Sequence, residues 1–283
     1  MGDTDPLISS SGVRSPRIIY GTAWKKMRTQ ELVCMAIERG FRGIDTAGQP
    51  KHYHEAGVGA AVAACLNARL RRADLYLQTK FTPLSGHDPS QLPYDPQAPL
   101  GEQVAQSFIS SQRNLQTDYV DGLILHSALP DRRQTMQVWT AMEQIYHAGG
   151  ARQLGISNCY SLVTLETLYR AADVKPAVLQ NRFHSETGYD HEIRAFCRHY
   201  GISYQSFWTL TANPQLLAGS AVTGPAAKYA RTPAQILFRY LTQSDIVPLT
   251  GTTSATHMRE DLEIFEFELS ADELARISAL LSR

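Results

Sequence analysis

The chain has no surplus of charge of either sign: 27 Lys and Arg residues face 27 Asp and Glu over 283 residues. Proteins that bind nucleic acid carry a basic stripe, and those that lie on membranes a basic amphipathic helix, so neither partner is expected. No stretch approaches the roughly 18 consecutive apolar residues of a membrane span, and the opening MGDTDPLISSSG lacks the apolar core of a secretion signal. The expected compartment is the cytoplasm. Cysteine is scarce too. Cys34, Cys65, Cys159 and Cys197 form no CxxC pair and fall in apolar or helical stretches, the pattern of reduced thiols rather than of a disulfide framework. The histidines are equally scattered: neither His52 with His54 nor His191 with Cys197 and His199 has the i,i+4 spacing of a zinc helix, so no metal is expected.

What is present is an ordinary globular composition, 43% hydrophobic and 19% charged. A chain of this length can bury about 75% of its unfolded surface without disulfides or metals to hold it. Short runs rich in Val, Ile, Leu and aromatic residues alternate with longer segments of helical spacing. The runs predict strands over Arg17–Ala23, Arg42–Thr46, Leu75–Phe81, Val120–His126, Arg152–Asn158, Ala177–Phe183, Ser203–Phe207 and Asp245–Thr250. Helices are predicted over Thr29–Arg39, Arg133–His147 and His191–Tyr200, with Gly40, Gly149 and Gly201 at their ends, where the left-handed conformation is needed. Eight such strand–helix units fit a closed barrel better than an open doubly wound sheet, giving an α/β, single-domain (β/α)8 TIM barrel. Residues 1–16 are expected as a flexible lead-in and 17–283 as the barrel. The proline-rich stretch 82–102 leaves the C-terminal end of the third strand, the active-site face of a barrel, and is expected as a long loop able to act as a lid.

Asp45, Tyr53, Lys80 and His126 fall at, or just beyond, the C-terminal ends of successive strands. Any one of these residues is more often a structural hydrogen-bond partner than a catalytic group, but the four are chemically compatible. Together they suit proton donation to a carbonyl oxygen: Tyr53 as donor, its pKa drawn down from about 10 by the Lys80 ammonium, Asp45 holding that lysine, and His126 orienting the oxygen. Two other signals read as structure. Gly57-Val58-Gly59 lacks the third small residue and the leading strand of a dinucleotide fingerprint, so it reads as a small-residue helix face. Arg69, Arg71 and Arg72 read as a solvated helix end complementing the dipole.

With these residues in place the chain resembles the aldo-keto reductase family over nearly its whole length, from IIYGTAWKK through GFRGIDTA, LQTKF, LILH, GISN and LQNRF to GTTSATHMREDL. The resemblance implies an eight-stranded barrel, an extended nicotinamide cofactor across its mouth, and reduction of a small-molecule aldehyde or ketone. It makes Asp45, Tyr53, Lys80 and His126 the catalytic tetrad. Ser157, Asn158 and Gln180 then hold the nicotinamide carboxamide, Thr22 lies near its ribose together with Asp45, and Phe207 stands where a tyrosine usually stacks on the ring, with Leu210 beyond it. Thr250, Gly251, Thr252, Thr253 and Ser254 precede a helical run and match the adenosine phosphate site, where hydroxyls and backbone N–H groups meet an anion. Glu260 and Asp261 match the adenine-contacting pair.

The chain also departs from the family pattern. Leu249 and His257 stand where NADP-preferring members have cations, so NADPH remains the expected cofactor on family habit with NADH open, and Arg259 is a candidate to compensate. The insert Gln49-Pro50-Lys51-His52 lengthens the loop between Asp45 and Tyr53. The family's long C-terminal tail is missing, which implies an open pocket walled by Trp24, Tyr94 and Trp208. Two other readings stand beside the reductase: a nucleotide-binding regulatory subunit with little turnover, and an aldolase using Lys80 as a Schiff-base nucleophile, which requires that lysine to have no carboxylate partner.

Overall fold

The computed structural model describes residues 5–281, and the opening four residues of the expected lead-in lie outside them. All eight predicted barrel strands form, a little shorter than their apolar runs: β3 (Ile19–Gly21), β4 (Gly43–Asp45), β5 (Tyr76–Phe81), β6 (Gly122–Leu125), β7 (Leu154–Ser157), β8 (Val178–Arg182), β9 (Ser203–Phe207) and β10 (Ile246–Thr250). They pair in parallel and in sequence, and β10 closes on β3, so no sheet edge is left open. Closure goes with the burial pattern: strands covered by helices on one side and by one another across the axis are buried along nearly their whole length. The outer layer begins with α1 (Thr29–Arg39), α2 (Glu55–Cys65), α3 (Leu100–Leu115), α4 (Arg132–His147), α5 (Leu162–Ala171) and α6 (His191–Tyr200). Between β9 and β10 the chain makes α7 (Pro214–Ala218), α8 (Ser220–Tyr229) and α9 (Pro233–Gln243), and it ends with α10 (Ala255–Leu262) and α11 (Ala271–Leu280).

The local signals act as their chemistry dictates. Gly40 and Gly201 end α1 and α6 at φ 117° and 67°, a region that side chains with a Cβ enter only with strain. Thr232 and Gln235 form a reciprocal capping box at the start of α9. The small-residue face of α2 lets α3 come close: a Cβ at Gly59 would sit 2.1 Å from the Asn114 carbonyl oxygen. No helix among the described residues is long and apolar enough to cross a membrane.

Several expectations need correction. Much of the lead-in is ordered. Strands β1 (Leu7–Ile8) and β2 (Arg14–Ser15) form an antiparallel hairpin whose Ser9 hydroxyl donates to Gln153 Oε1 at 2.6 Å. The physical reason is that the barrel's N-terminal end needs a cover, and Leu7 and Val13 pack against Ile19, Tyr76, Val247 and Leu249. The arginine cluster does not close a helix, because α2 stops at Cys65. Arg71 instead pairs with Asp74 at 2.8 Å, and Arg72 bridges Asp121 at 2.9 Å while donating to the Leu75 and Tyr119 carbonyls. The 82–102 segment is shorter than expected as a loop, since α3 starts at Leu100, and none of its residues lines the cleft at the barrel mouth. Tyr94 is buried in it, its hydroxyl donating to the Thr82 carbonyl at 2.9 Å and its ring packed on Phe81.

Candidate active site

Side chains alternate along a strand, so Tyr76, Gln78 and Lys80 of β5 point to the barrel interior while Leu77, Thr79 and Phe81 face the helices. That alternation delivers Lys80 to Asp45. Its Nζ donates to Asp45 Oδ1 at 2.7 Å and Oδ2 at 2.8 Å, and to the Thr46 carbonyl at 2.8 Å, with both side chains buried. Lys80 is therefore not the unpaired amine that an aldolase needs. Thr22 lies at the end of β3 with its hydroxyl on the Asp45 carbonyl at 2.9 Å, so it secures the strand end and does not reach the open cleft.

Below the tetrad the barrel axis is polar. Gln78 Nε2 donates to Asp45 Oδ1 at 2.6 Å and to Gln205 Oε1 at 2.8 Å, and Gln180 Nε2 donates to the same two oxygens at 3.0 and 2.9 Å. Gln205 returns a bond to Gln78 Oε1 at 3.0 Å. Gln153 donates to the Tyr76 hydroxyl at 2.9 Å, which donates to Gln78 Oε1 at 2.8 Å, so the column runs from the Ser9 hairpin to the Asp45 carboxylate. Burial out of water makes each of these bonds obligatory, which fixes the Asp45 carboxylate and commits the Gln180 amide nitrogen.

The strand ends open into a cleft of about 1290 Å³ lined by Asp45, Tyr53, His126, Ser157, Asn158, Gln180, Phe207 and Leu210. Its far side is lined by Thr250, Gly251, Thr252, His257, Glu260 and Asp261, with Trp24 and Trp208 at the rim. Lys80, Thr253, Ser254 and Tyr94 do not line it. Lys80 lies beneath the surface, Ser254 caps α10 by accepting the His257 N–H, Thr253 faces solvent, and Tyr94 is buried against Phe81.

Three residues just past strand ends, Trp24, Asn158 and Trp208, take left-handed backbone at φ 64°, 52° and 55°. Bulky side chains avoid that region, and backbone strain of this kind concentrates where a site must be shaped. Trp24 is held further by its ring on His52, centroids 3.9 Å apart, and by its N–H on the His52 carbonyl at 2.7 Å. The insert before Tyr53 is thus an ordered wall. Gln49 braces it, donating to the Gly86 carbonyl at 2.7 Å and accepting the His52 N–H at 3.0 Å.

The electrostatics revise one expectation. Burial raises the Tyr53 phenol well above its ordinary value, and the Asp45 carboxylate raises it further. The Lys80 ammonium, 5.1 Å from the ring centre, is matched by Asp45 and does not draw the phenol down. Burial also lowers Lys80, with Asp45 opposing. His126 is pushed down to about 3 by burial and then by Lys80, so it is neutral. Its Nδ1 lies 2.7 Å from the Thr82 hydroxyl, and its ring meets Tyr53 edge-on at 6.0 Å. Asp261, hydrogen-bonded by Thr250 at 2.7 Å, is raised by burial to about 6.

Lys25 and Arg182 also line the cleft, though neither is among the residues that the sequence marks out. Lys25 donates from Nζ to the Gly251 carbonyl, and burial lowers its pKa. The signal for Arg182 was its spacing, two residues beyond Gln180 on one strand. Arg259, the candidate compensating cation, is paired with Glu263 at 3.2 Å and is not part of the cleft.

A closed parallel barrel with a Tyr, Lys, Asp and His at its C-terminal mouth matches a known class. The family model for the aldo/keto reductase family matches residues 17–282, and the chain belongs to that family. It is 31% identical over 247 residues to the uncharacterized oxidoreductase YtbE of Bacillus subtilis, covering 87% of this chain and 81% of that protein. Its identity to the glyoxal reductase of the same organism is 30% over 251 residues, 88% of this chain and 82% of that one. Among solved structures, an aldo/keto reductase from Brucella melitensis superposes with a TM-score of 0.83 at 26% identity, covering 98% of this chain and 99% of the other.

Proposed function

We propose that the protein reduces an aldehyde or ketone to the alcohol with NADPH, Tyr53 giving the proton. The single observation that carries this reading is the meeting of the Tyr53 phenol and the His126 imidazole, rings 6.0 Å apart, in one long cleft. Both groups are uncharged hydrogen-bond partners for a carbonyl oxygen, and both lie above a buried ion pair.

The residues present fit a nicotinamide nucleotide. Gln180 Oε1 makes no hydrogen bond among the described residues, while its nitrogen is committed to Asp45 and Gln205, so the oxygen is available to accept from a carboxamide N–H. Phe207 offers a flat ring beside it, and at the other end the start of α10 offers backbone N–H groups near the Lys25 cation. A nicotinamide cofactor bound there supplies the hydride. On this reading the substrate oxygen is held between the Tyr53 hydroxyl and His126 Nε2, with the Thr82 hydroxyl donating to Nδ1 so that the proton stands on Nε2. Tyr53 transfers its proton to that oxygen as the alcohol forms. The phenolate left behind then faces the Lys80 ammonium, and solvent at the open mouth restores the proton.

NADPH is proposed over NADH on the family's habit, with Lys25 as the cation beside Gly251 at the adenosine end. The test is loss of NADPH absorbance, and separately of NADH, when the purified protein meets a panel of aromatic and aliphatic aldehydes. Aldehyde-dependent consumption, faster with NADPH, is expected. Tight cofactor binding with no turnover on any aldehyde would turn the reading to a nucleotide-binding regulatory subunit.

A further inference from the structure

We propose that Arg182, stacked on Trp208, forms a subsite for an anionic group carried by the carbonyl substrate, so that the preferred substrates bear a carboxylate or phosphate. This deepens the reductase reading and rests on it.

The placement comes from the strand. Arg182 is two residues beyond Gln180 on β8 and shares its inward face, so it stands one layer higher, at the mouth. Its register partner on β9 is Phe207, the ring proposed to lie against the nicotinamide. The guanidinium carbon sits 4.3 Å from the centre of the Trp208 ring, a stack that fixes the plane of its donor fork. The Arg182 backbone N–H is taken by the Tyr160 hydroxyl at 3.1 Å, which secures the strand end.

The partner of this cation is missing. Arg182 Nε is buried with no hydrogen-bond acceptor, although the side chain lines the cleft. No carboxylate among the described residues forms an ion pair with it. The nearest acid in sequence, Glu186, leans to His184 at 3.5 Å with its side chain 85% exposed. Of the other bases there, Lys80 is matched by Asp45, His126 is neutral, and Lys25 is at the Gly251 end. A desolvated guanidinium donor without an acceptor is costly to keep, and a planar, bidentate oxyanion is the ligand its fork matches. On the reductase reading the adenosine phosphate has Lys25 and the start of α10. The anion beside Phe207 is assigned to the substrate, and the KM for NADPH separates it from a cofactor phosphate.

The test compares 4-carboxybenzaldehyde with 4-methylbenzaldehyde, which differ in charge at similar shape, in wild type, R182M and R182K. Methionine keeps an unbranched stem against Trp208 and removes the charge. In R182M, kcat/KM for the carboxylate substrate is expected to fall about 30-fold or more, the effect of truncating one partner of a desolvated charge pair. The methyl substrate and the KM for NADPH are expected to change less than about threefold, and R182K to recover part of the loss. Equal losses on both aldehydes with a raised NADPH KM would show that the anion is a cofactor phosphate and overturn the substrate assignment, as would an unchanged ratio between the two aldehydes. Failure of the underlying reading is visible separately, as wild type that reduces neither aldehyde. In that case, binding of benzoate against benzyl alcohol to the NADP+-loaded protein, wild type and R182M, still decides whether Arg182 receives a carboxylate.

Discussion

Tyr53→Phe removes one oxygen and, with it, the proton donor. The Tyr53 hydroxyl makes no hydrogen bond within the described residues, so no native bond is lost and the fold is expected to keep its denaturation midpoint. The ring remains to pack near His126 and Lys80. Only the transition state should lose a contact. General acid catalysis contributes about 100- to 10,000-fold, so the barrier should rise by about 2.7 to 5.5 kcal/mol with the NADPH dissociation constant nearly unchanged. The assay is single-turnover oxidation of bound NADPH by an aldehyde, with cofactor affinity measured by fluorescence on the same samples. The pH profile adds a sign. Burial and Asp45 both raise the phenol, so the donor keeps its proton and wild-type reduction should not decline between about pH 6 and 9 through Tyr53. His126, at about 3, stays neutral over that range. Retention of more than a tenth of the rate by Tyr53→Phe would refute the assignment. A wild-type rate that falls with an apparent pKa near 7 and does so only when Tyr53 is present would refute the electrostatic argument.

Asp261 offers a stability test. Its folded pKa is raised from 3.8 to about 6, so the native state holds its proton longer than the unfolded chain, and stability should fall as pH rises through that window, by up to about 3 kcal/mol. Asp261→Asn still accepts from Thr250, and should match wild type near pH 4 and exceed it at pH 7 in urea denaturation. Equal pH profiles for the two proteins would show that the carboxyl is not shifted. Gly59→Ala would drive a Cβ into the Asn114 carbonyl and the Leu115 backbone, and separating α2 from α3 should cost about 3 kcal/mol in the same measurement. Gln78→Leu removes the 2.6 Å donor to Asp45 and strands the Tyr76 hydroxyl and the Gln205 amide, so a loss of about 2–4 kcal/mol in unfolding free energy is expected. A loss below about 1 kcal/mol would show that water replaces the glutamine.

The eight strands and the expected helix ends were legible because they rest on local rules: apolar runs of strand length, helical spacing, and glycines at Gly40 and Gly201 where the backbone turns left-handed. That Asp45, Lys80 and His126 lie at one end of the barrel was legible for a related reason, since the C-terminal ends of parallel barrel strands all face one mouth. Tertiary structure decided the rest. The hairpin at residues 7–15 reads as a polar lead-in because its order comes from Gln153, 144 positions from Ser9. The glutamines at 78, 180 and 205 look like unremarkable strand residues until the barrel closes and places their amides around one carboxylate. Tyr94 left the pocket because its hydroxyl found the Thr82 carbonyl. The direction of the Tyr53 shift depends on how completely Asp45 matches Lys80, a balance of distances and burial that residue order does not contain. Arg182 shows the same division: the sequence places it at a strand end, but only packing stacks it on Trp208 and leaves its Nε without an acceptor. Local propensity acts over a few residues, whereas burial and charge pairing depend on which distant segments share one interior.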